Sequence, residues 1–329
     1  MHEGETVTMQ IIRKEEILKH VDEHAVLGDI ENGFKAFAAG KAQVAPVTHL
    51  GFDAANGECH IKSAHVAGDD VFTVKLATGF YDNPAKGLPS SSGFMAVISA
   101  VNGTPLAILQ DEGVLTDLRT ALAGVIVTRL GARKSAKTVG IIGNGIQAHL
   151  QAKLICELLG YKSVVVWGRT AEKAAALVER LSNELPAVTV AQAQTAEDLC
   201  KQADVIVTTT PSREPLIQAD WVRPGTHIVA VGADSPGKQE IDAQLFAKAS
   251  QVFVDSPSQC VEHGETANAI QAGTITEGGL TPLGTALSNG PAPRSEDDIT
   301  IADLTGVAVQ DAAIAKSVWT SVERGTTYL

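Results

Sequence analysis

The feature that most constrains the fold of this chain is a glycine-rich loop between a predicted buried strand and a predicted helix. Residues 139–142 are apolar, and a helix is predicted from the end of the loop to residue 159. Gly143 permits a tight turn, Gly145 lets the backbone approach a pyrophosphate, and Ala148 lets the helix pack close to the strand. This GxGxxA pattern predicts a dinucleotide site, with cofactor contacts from Gly143, Asn144, Gly145, Ile146 and Gln147.

The segments after this loop alternate between predicted strands and predicted helices. Strands are predicted at residues 164–167, 189–190, 204–209, 227–231, 252–254 and 299–303, and helices at residues 171–185, 196–202, 242–249 and 307–322. Residues 264–290 are rich in Gly and Thr and are predicted to form loops. Such alternation is typical of parallel βαβ units, so we expect an α/β fold with a doubly wound Rossmann sheet.

The first third of the chain has a different pattern. Residues 14–40 predict a helical segment that ends at Gly40, and short alternating stretches at residues 60–66, 71–77, 94–99 and 105–109 predict strands separated by Gly, Asn and Pro. Residues 116–130 predict another helix, and residues 1–8 predict an unstructured tail. We therefore expect an α+β region with a mostly antiparallel sheet before the Rossmann region.

The residues after the second Rossmann strand bear on the choice of cofactor. An NAD site usually has an acidic residue there to bind the ribose 2′-hydroxyl. This chain has Gly168, Arg169 and Thr170 instead, which leave room for a 2′-phosphate and offer it a cation and a hydroxyl. The sequence therefore favours NADP(H), with NAD(H) possible if Arg169 only stacks on adenine or faces solvent.

Composition excludes several partners. The 26 basic and 38 acidic residues give a net charge of −12, which disfavours nucleic acid and anionic membranes. The four cysteines form no CxxC pair, so neither structural zinc nor a redox pair is expected, and a cytoplasmic protein with reduced thiols is the simplest interpretation. No apolar run reaches the roughly 18 residues of a membrane span, and the N-terminus has no secretory signal pattern.

Further motifs identify a family resemblance. They are Lys75-Leu-Ala-Thr-Gly79, Lys86-Gly-Leu-Pro-Ser-Ser91, Thr116-Asp-Leu-Arg119-Thr120, Val207-Thr-Thr-Thr-Pro-Ser212, Asp234-Ser-Pro-Gly-Lys-Gln-Glu240 and Asp298-Ile-Thr-Ile-Ala-Asp303-Leu-Thr-Gly306-Val-Ala-Val-Gln310-Asp311. In this order and spacing, from about residue 14 to residue 316, the chain resembles the ornithine cyclodeaminase/μ-crystallin family. The family includes alanine dehydrogenase, ketimine reductase, Δ1-pyrroline-2-carboxylate reductase and ectoine-utilisation branches.

The resemblance implies a two-domain homodimer. Residues 1–120 and 313–329 would form a substrate-binding and dimerisation domain, and residues 121–312 would form the NAD(P)-binding Rossmann domain. It also implies hydride transfer at C2 of an amino or imino acid. We expect an NAD(P)H-dependent oxidoreductase that interconverts an α-imino acid, such as Δ1-pyrroline-2-carboxylate, and an α-amino acid. The alternative is an ornithine or lysine cyclodeaminase, a lyase that recycles its NAD.

The residues expected to act on the substrate carry suitable chemistry. Arg119 can bind a carboxylate bidentately and Lys75 can bind it as a point charge, and both match carboxylate-binding positions of the family. Asp234 follows a predicted parallel strand and matches the catalytic aspartate of ornithine cyclodeaminase, where it could handle protons at nitrogen. Structural ion pairs and a turn aspartate are the alternatives. A non-catalytic binding protein, as some μ-crystallins are, is disfavoured because these three residues are retained.

Two departures from the family pattern concern the substrate. Val47 stands where many members carry a cation, and His49 could replace that cation. Lys62 stands where ornithine cyclodeaminase has a glutamate, and a lysine would repel the distal ammonium of ornithine. These residues favour a small amino or imino acid without a distal amine, or one with a second carboxylate.

Other matched positions are expected to contact the cofactor. They are Thr120, Thr209, Thr210, Pro211 and Val307, with Gln310 near the nicotinamide; ordinary loop packing is the alternative. The set Cys59, His60 and His65 matches no family metal site, so no metal is expected.

Overall fold

The computed structural model describes residues 9–290 and 293–326. The chain divides into two compact units, one made of Met1–Arg119 and Val307–Leu329 and the other of Thr120–Gly306. The tail predicted for residues 1–8 lies outside the described residues. Within the described ranges, no helix has the length and apolar character needed to cross a bilayer.

The first unit is built on a seven-stranded sheet. Its elements before the crossing are β1 (Gln10–Arg13), α1 (Lys14–His20), α2 (Glu23–Ala38), β2 (Ala42–Val44), β3 (Thr48–Phe52), β4 (Gly57–Val66), β5 (Val71–Phe80), β6 (Ser91–Ser99) and β7 (Pro105–Gln110). The strand order is β1-β7-β6-β5-β4-β2, and β3 also pairs with β4. All pairs are antiparallel except β1 with β7, so the predicted antiparallel sheet is confirmed.

The prediction of a helical segment over residues 14–40 holds for residues 14–20 and 23–38, but the break between them was not predicted. The structure has two helices there, because the chain is extended at Val21 and Asp22. The Asp22 carboxylate accepts hydrogen bonds from the backbone N–H groups of His24 and Ala25, which makes Asp22 the N-cap of α2. An aspartate at this position satisfies N–H groups that have no intrahelical partner, so a new helix begins.

The second unit is built on an eight-stranded parallel sheet. Helix α3 (Val114–Gly131) leads into it, followed by β8 (Thr138–Ile142), α4 (Ile146–Leu159), β9 (Ser163–Trp167), α5 (Ala171–Glu184), β10 (Thr189–Gln192), α6 (Ala196–Gln202), β11 (Val205–Thr208), β12 (Arg213–Ile217), β13 (His227–Ala230), β14 (Gln239–Ile241), α7 (Gln244–Lys248), β15 (Ala249–Val254), α8 (Pro257–Cys260), α9 (Glu265–Gln271), β16 (Leu280–Pro282), α10 (Leu283–Asn289) and β17 (Ile299–Asp303). The order β10-β9-β8-β11-β13-β17-β15-β16 is doubly wound, which confirms the predicted fold class.

The prediction of loops over residues 264–290 is wrong, because α9, β16 and α10 lie there. Helix α9 begins with Glu265, whose buried carboxylate accepts hydrogen bonds from the backbone N–H groups of Glu240 and Ile241. The next backbone N–H, of Thr266, donates to Asp303. These partners are distant in sequence, so a Gly/Thr-rich composition could not reveal that they order the segment.

The chain returns to the first unit as α11 (Ala308–Thr326), which packs on α2 and on β4, β5 and β6. Gly33 allows a close approach of α2 to α11, since a Cβ there would lie 3.2 Å from the carbonyl oxygen of Val309. The chain re-enters the first unit at Val307, whereas the predicted domain boundary lies at residue 313. Gln310 and Asp311 in the first turns of α11 bond to side chains of the first unit, which accounts for the earlier boundary.

Candidate active site

The glycine-rich loop lies between β8 and α4 in the second unit. Gly143 has φ of +128°, and a Cβ there would lie 2.4 Å from Oγ1 of Thr209, so only glycine fits. Gly145 precedes α4 in an extended conformation, and a Cβ there would meet open space within 4 Å. The first N–H groups of a 14-residue helix have no intrahelical acceptor, so this loop can bind an anionic pyrophosphate.

The residues expected to contact the adenosine ribose or its 2′-phosphate directly follow β9. A Cβ on Gly168 would lie 2.7 Å from the side-chain nitrogen of Asn144, so this glycine lets the two loops meet. Arg169 and Thr170 are exposed, and Thr170 precedes α5 without capping it through its hydroxyl group. Their side chains are therefore available to a ligand at this edge of the sheet.

The loop after β11 is held by Glu240, a carboxylate to which its motif alone assigns no role. Glu240 is fully buried and accepts hydrogen bonds from Oγ1 of Thr208 at 2.7 Å and from the N–H groups of Thr210 at 2.5 Å and Gly232 at 2.8 Å. Burial raises the pKa of Glu240 to about 7. Glu240 thus joins the loop of Thr209, Thr210 and Pro211 to the loop that carries Asp234.

Asp234 lies in the loop after β13, and its side chain is half exposed. Its Oδ1 accepts a hydrogen bond from Nζ of Lys238 at 2.6 Å and one from Oγ of Ser235 at 3.2 Å. The loop approaches its neighbour closely, since a Cβ on Gly232 would lie 2.2 Å from the carbonyl oxygen of Thr210. Asp234 is therefore an accessible carboxylate on a loop held by Glu240.

A buried charged cluster lies in the first unit. Nζ of Lys75 donates to Oδ1 of Asp311 at 2.9 Å, and Nε of Arg119 lies 3.0 Å from the same oxygen. Nη1 of Arg119 donates to Oε1 of Gln310 at 2.7 Å. Lys75, Arg119 and Asp311 are exposed by 2%, 6% and 1%, so their charges interact with little solvent screening. We call Lys62, Lys75, Arg119 and Asp311 the cation cluster.

Lys62 joins this cluster through strand register. It is the cross-strand partner of Lys75 on β4 and β5, so the two side chains share a face of the sheet. Burial, with a smaller repulsion from Arg119 and Lys62, lowers the pKa of Lys75 to about 7. Lys75 and Arg119 lower the pKa of Asp311. Lys75 and Arg119 share one oxygen of Asp311, and Lys75 also acts on the buried carboxylate of Asp111. The cluster therefore concentrates N–H donors at which an external anion could bind.

His49, which was expected to bind the substrate with these cations, lies beside Glu58 and His60 instead. It is the cross-strand partner of His60, and the Nε2 atoms of these two residues lie 3.5 and 3.4 Å from Oε2 of Glu58. Burial lowers the pKa of His60, and Glu58 opposes that shift. The structure therefore brings Lys62, Lys75 and Arg119 together and groups His49 with Glu58 and His60.

The remaining residues that were predicted to contact the cofactor lie on three different segments. Thr120 follows Arg119 in α3, and its carbonyl oxygen accepts a hydrogen bond from the side chain of Gln151. Gln147 lies in the first turn of α4, and Val307 is fully buried just before α11. Sequence reasoning missed Asp311 as the partner of both Lys75 and Arg119. The only available signal was its place directly after Gln310 in the last motif.

Comparisons with known proteins agree with this architecture. The profile of the ornithine cyclodeaminase/mu-crystallin family matches residues 7–326. A putative dehydrogenase of Rhizobium meliloti is 36% identical over 304 residues, which cover 91% of this chain and 92% of that protein. The solved structure of an archaeal alanine dehydrogenase dimer with bound NAD superposes with a TM-score of 0.88 at 32% identity, covering 97% of both chains.

A second solved structure is the Δ1-pyrroline-2-carboxylate reductase of Thermococcus litoralis in complex with NADH and L-proline. It superposes with a TM-score of 0.90 at 26% identity, covering 96% of this chain and 98% of that one. The family match and the Rhizobium meliloti relative each extend over nearly the whole chain. This chain belongs to the ornithine cyclodeaminase/mu-crystallin family.

Proposed function

We propose that this protein is an NAD(P)H-dependent oxidoreductase that interconverts an α-imino acid, such as Δ1-pyrroline-2-carboxylate or another ketimine, and the corresponding α-amino acid. The observation that carries the proposal is the cation cluster, in which Lys75 and Arg119 share one oxygen of Asp311 and Lys62 lies across the strand from Lys75. An α-imino acid has one invariant anionic group, its carboxylate, which these cations could bind. The glycine-rich loop supports a dinucleotide as the second ligand.

The cofactor would be held by the second unit. Gly143, Asn144, Gly145, Ile146 and Gln147 would bind the pyrophosphate, because Gly145 faces open space and α4 offers its N-terminal N–H groups. Gly168, Arg169 and Thr170 would bind a 2′-phosphate, so we propose NADP(H) as the preferred form. NAD(H) is the alternative, since the two solved relatives described above bind NAD and NADH. When bound, the reduced cofactor supplies a hydride to the imine carbon.

The substrate carboxylate would bind between Arg119, Lys75 and Lys62. Asp311 keeps Arg119 and Lys75 in fixed positions, and Gln310 orients the guanidinium group through Nη1. We assign the remaining guanidinium edge of Arg119 to one carboxylate oxygen and the Lys75 ammonium to the other. Lys62 adds attraction for a carboxylate and repels a distal ammonium, which supports imino acids without a second amine.

Asp234 would manage the proton at nitrogen. Reduction adds a hydride to carbon and a proton to nitrogen, so the reaction needs a proton carrier near the nitrogen. Asp234 is half exposed, and Lys238 and Ser235 fix its Oδ1 atom. We assign it either direct proton transfer or orientation of the water that transfers the proton.

We also propose that the chain forms a homodimer through the face of the first sheet that α2 and α11 leave open. On that face, Leu76, Phe94 and Ile108 line an apolar depression, and Ile11 at its edge is 62% exposed. Exposed apolar surfaces of this kind mark association sites. The dimeric state of the archaeal alanine dehydrogenase supports a second copy as the occupant. Light scattering during size-exclusion chromatography tests it, and a monomer at micromolar concentration would contradict it.

The activity is tested by a substrate panel. Purified protein is mixed with NADPH or NADH and with cyclic imino acids, with oxo acids plus ammonia, or with L-ornithine and L-lysine. We expect steady loss of the near-ultraviolet absorbance of the reduced cofactor with an imino acid. Ammonia release from ornithine without net change in cofactor would instead establish a cyclodeaminase.

A further inference from the structure

A second group of polar side chains in the first unit lies outside the cation cluster. His49 on β3 and Glu58 and His60 on β4 project from one face of the sheet, since residues two apart on a strand share a face and His49 is opposite His60. We call these three residues the His49–Glu58–His60 cluster. Each can offer one ligand atom, and these atoms all lie within 4.8 Å of one another.

The two distances from Glu58 to the histidines match those between ligands of a tetrahedral metal ion. Bonds of about 2.0–2.2 Å from zinc to imidazole nitrogen and carboxylate oxygen place neighbouring ligand atoms roughly 3.3–3.5 Å apart. Nε2 of His49 lies 3.5 Å and Nε2 of His60 lies 3.4 Å from the same atom, Oε2 of Glu58. Both separations are longer than the usual N–H···O length of about 2.7–3.2 Å and lie in the range that two ligands of one metal ion adopt.

The carboxylate of Glu58 is oriented for such a role. The hydroxyl group of Tyr81 donates a hydrogen bond to Oε1, so Oε2 is the oxygen directed at the two imidazoles. Hydrogen bonds to the outer atom of a ligand are the usual way in which proteins fix metal ligands. The imidazole rings lie 4.9 Å apart and are tilted by 52°, which keeps their Nε2 atoms convergent without stacking the rings.

The cluster is also accessible to an ion. The side chain of His49 is 54% exposed, whereas those of Glu58 and His60 are 22% and 26% exposed. An ion can therefore enter from the side of His49 without unfolding the sheet. Three protein ligands leave the fourth tetrahedral position to water or another small ligand.

We infer that His49, Glu58 and His60 form a binding site for a divalent transition metal ion of the zinc type. The set is two imidazoles and one carboxylate, which bind such ions through neutral nitrogen and anionic oxygen atoms. It differs from Cys59, His60 and His65, the set that the sequence analysis rejected. Cys59 and His65 alternate with His60 along β4 and so project from the opposite face. The inference does not rest on the proposed enzymatic activity.

The test is a metal titration of the full chain after removal of metals with a chelator. Zn²⁺ is added in competition with a chromogenic chelator, and Co²⁺ is added separately because its visible absorption reports tetrahedral coordination. We expect about one equivalent of Zn²⁺ to bind and His49→Ala, Glu58→Gln and His60→Ala each to weaken binding about tenfold or more, as loss of a ligand or its support does. His49→Ala alters an exposed side chain, so this variant is expected to fold.

The matched control is His24→Ala, which removes an exposed histidine on α2 and should leave metal affinity unchanged. Equal metal affinity in wild type and all three ligand variants would overturn the inference. So would failure of the wild type to compete with the chelator, or a Co²⁺ spectrum of octahedral type, because the three side chains would then form only an ordinary ion-pair group.

Discussion

The two units bury charge in different ways. The first unit buries Lys75 and Arg119 around one oxygen of Asp311, and Lys75 also acts on the buried carboxylate of Asp111. The second unit buries carboxylates, and these accept hydrogen bonds from backbone N–H groups of their own unit. Glu240 accepts from Thr210 and Gly232, and Asp255 accepts from Thr305 and Gly306.

This difference indicates different roles. A buried carboxylate that accepts several backbone hydrogen bonds needs no ligand, and it serves to fix the loops that donate them. Lysine and arginine side chains carry several N–H donors, so buried cations that share one carboxylate oxygen can also bind a further anion. We therefore assign the carboxylates of the second unit to positioning the loops and the cation cluster of the first unit to binding the substrate.

The largest expected effect is that of Arg119→Ala. Loss of a charge-assisted pair in a buried site corresponds to about 4 kcal/mol, so kcat/KM for an α-imino acid should fall roughly 1,000-fold. Cofactor affinity, followed by the fluorescence of NADPH, should stay within a factor of about two. Arg129→Ala changes an exposed arginine of the same helix and is the control. A loss of activity no larger than that of the control would remove Arg119 from the site.

The next largest effect is on stability, and it distinguishes a carboxylate that pairs with cations from one that accepts backbone hydrogen bonds. Asp311→Asn leaves the cations without their partner and should lower the free energy of unfolding by about 3 kcal/mol. Asp303→Asn should lower it by only about 1 kcal/mol, because an amide oxygen can still accept from Thr266.

L-Proline, which carries the carboxylate of the expected product class, should restore much of the thermal stability of Asp311→Asn and none of that of Asp303→Asn. Thermal unfolding with and without L-proline measures both. Equal stabilisation of the two variants would mean that the cation cluster does not recognise carboxylates.

A smaller effect concerns pH. The pKa of Lys75 is lowered to about 7, so its ammonium is charged below that pH and is lost above it. We therefore expect the titration of Lys75, which Asp311, Arg119, Lys62 and Asp111 surround, to govern the high-pH limb of the activity profile. The kcat/KM for an imino acid should therefore decline by up to about tenfold per pH unit above neutrality. Lys75→Arg should move that decline to higher pH, since arginine stays protonated. An identical profile in the variant would assign the decline to another group.

The smallest effect is on cofactor choice. Arg169→Ala should raise the KM for NADPH about tenfold and leave that for NADH nearly unchanged, because only the former carries a 2′-phosphate. Initial rates with both cofactors measure this. A wild-type preference for NADH would itself refute the proposed preference for NADP(H).

Local patterns explain which parts of this molecule the sequence could predict. The loop at Gly143 and Gly145, the strands of the Rossmann sheet and the cations Lys75 and Arg119 all belong to short motifs. These motifs could not show that Lys75 pairs with Asp311, because the two residues belong to different motifs that lie 236 positions apart along the chain. Likewise, Glu240 gains its role only when β11 and β13 lie side by side.

The features that the sequence did not predict depend on single side chains or on contacts between distant residues. The break before α2 depends on a single cap at Asp22, which interrupts an otherwise helical apolar pattern. The secondary structure of residues 264–290 depends on Glu265, whose carboxylate accepts hydrogen bonds from Glu240 and Ile241 elsewhere in the second unit. His49 was predicted to approach the substrate carboxylate, but the pairing of β3 with β4 places it opposite His60, and its assignment to the substrate stays a prediction.

The most direct test of the central claim compares two imines that differ only in the carboxylate. Initial rates of NADPH oxidation are measured with Δ1-pyrroline-2-carboxylate and with 1-pyrroline, which lacks the acid group. If the cation cluster binds the substrate carboxylate, kcat/KM should be roughly 1,000-fold higher for the acid, in line with the loss expected for Arg119→Ala. Similar rates for the two imines, or turnover of neither, would contradict the account.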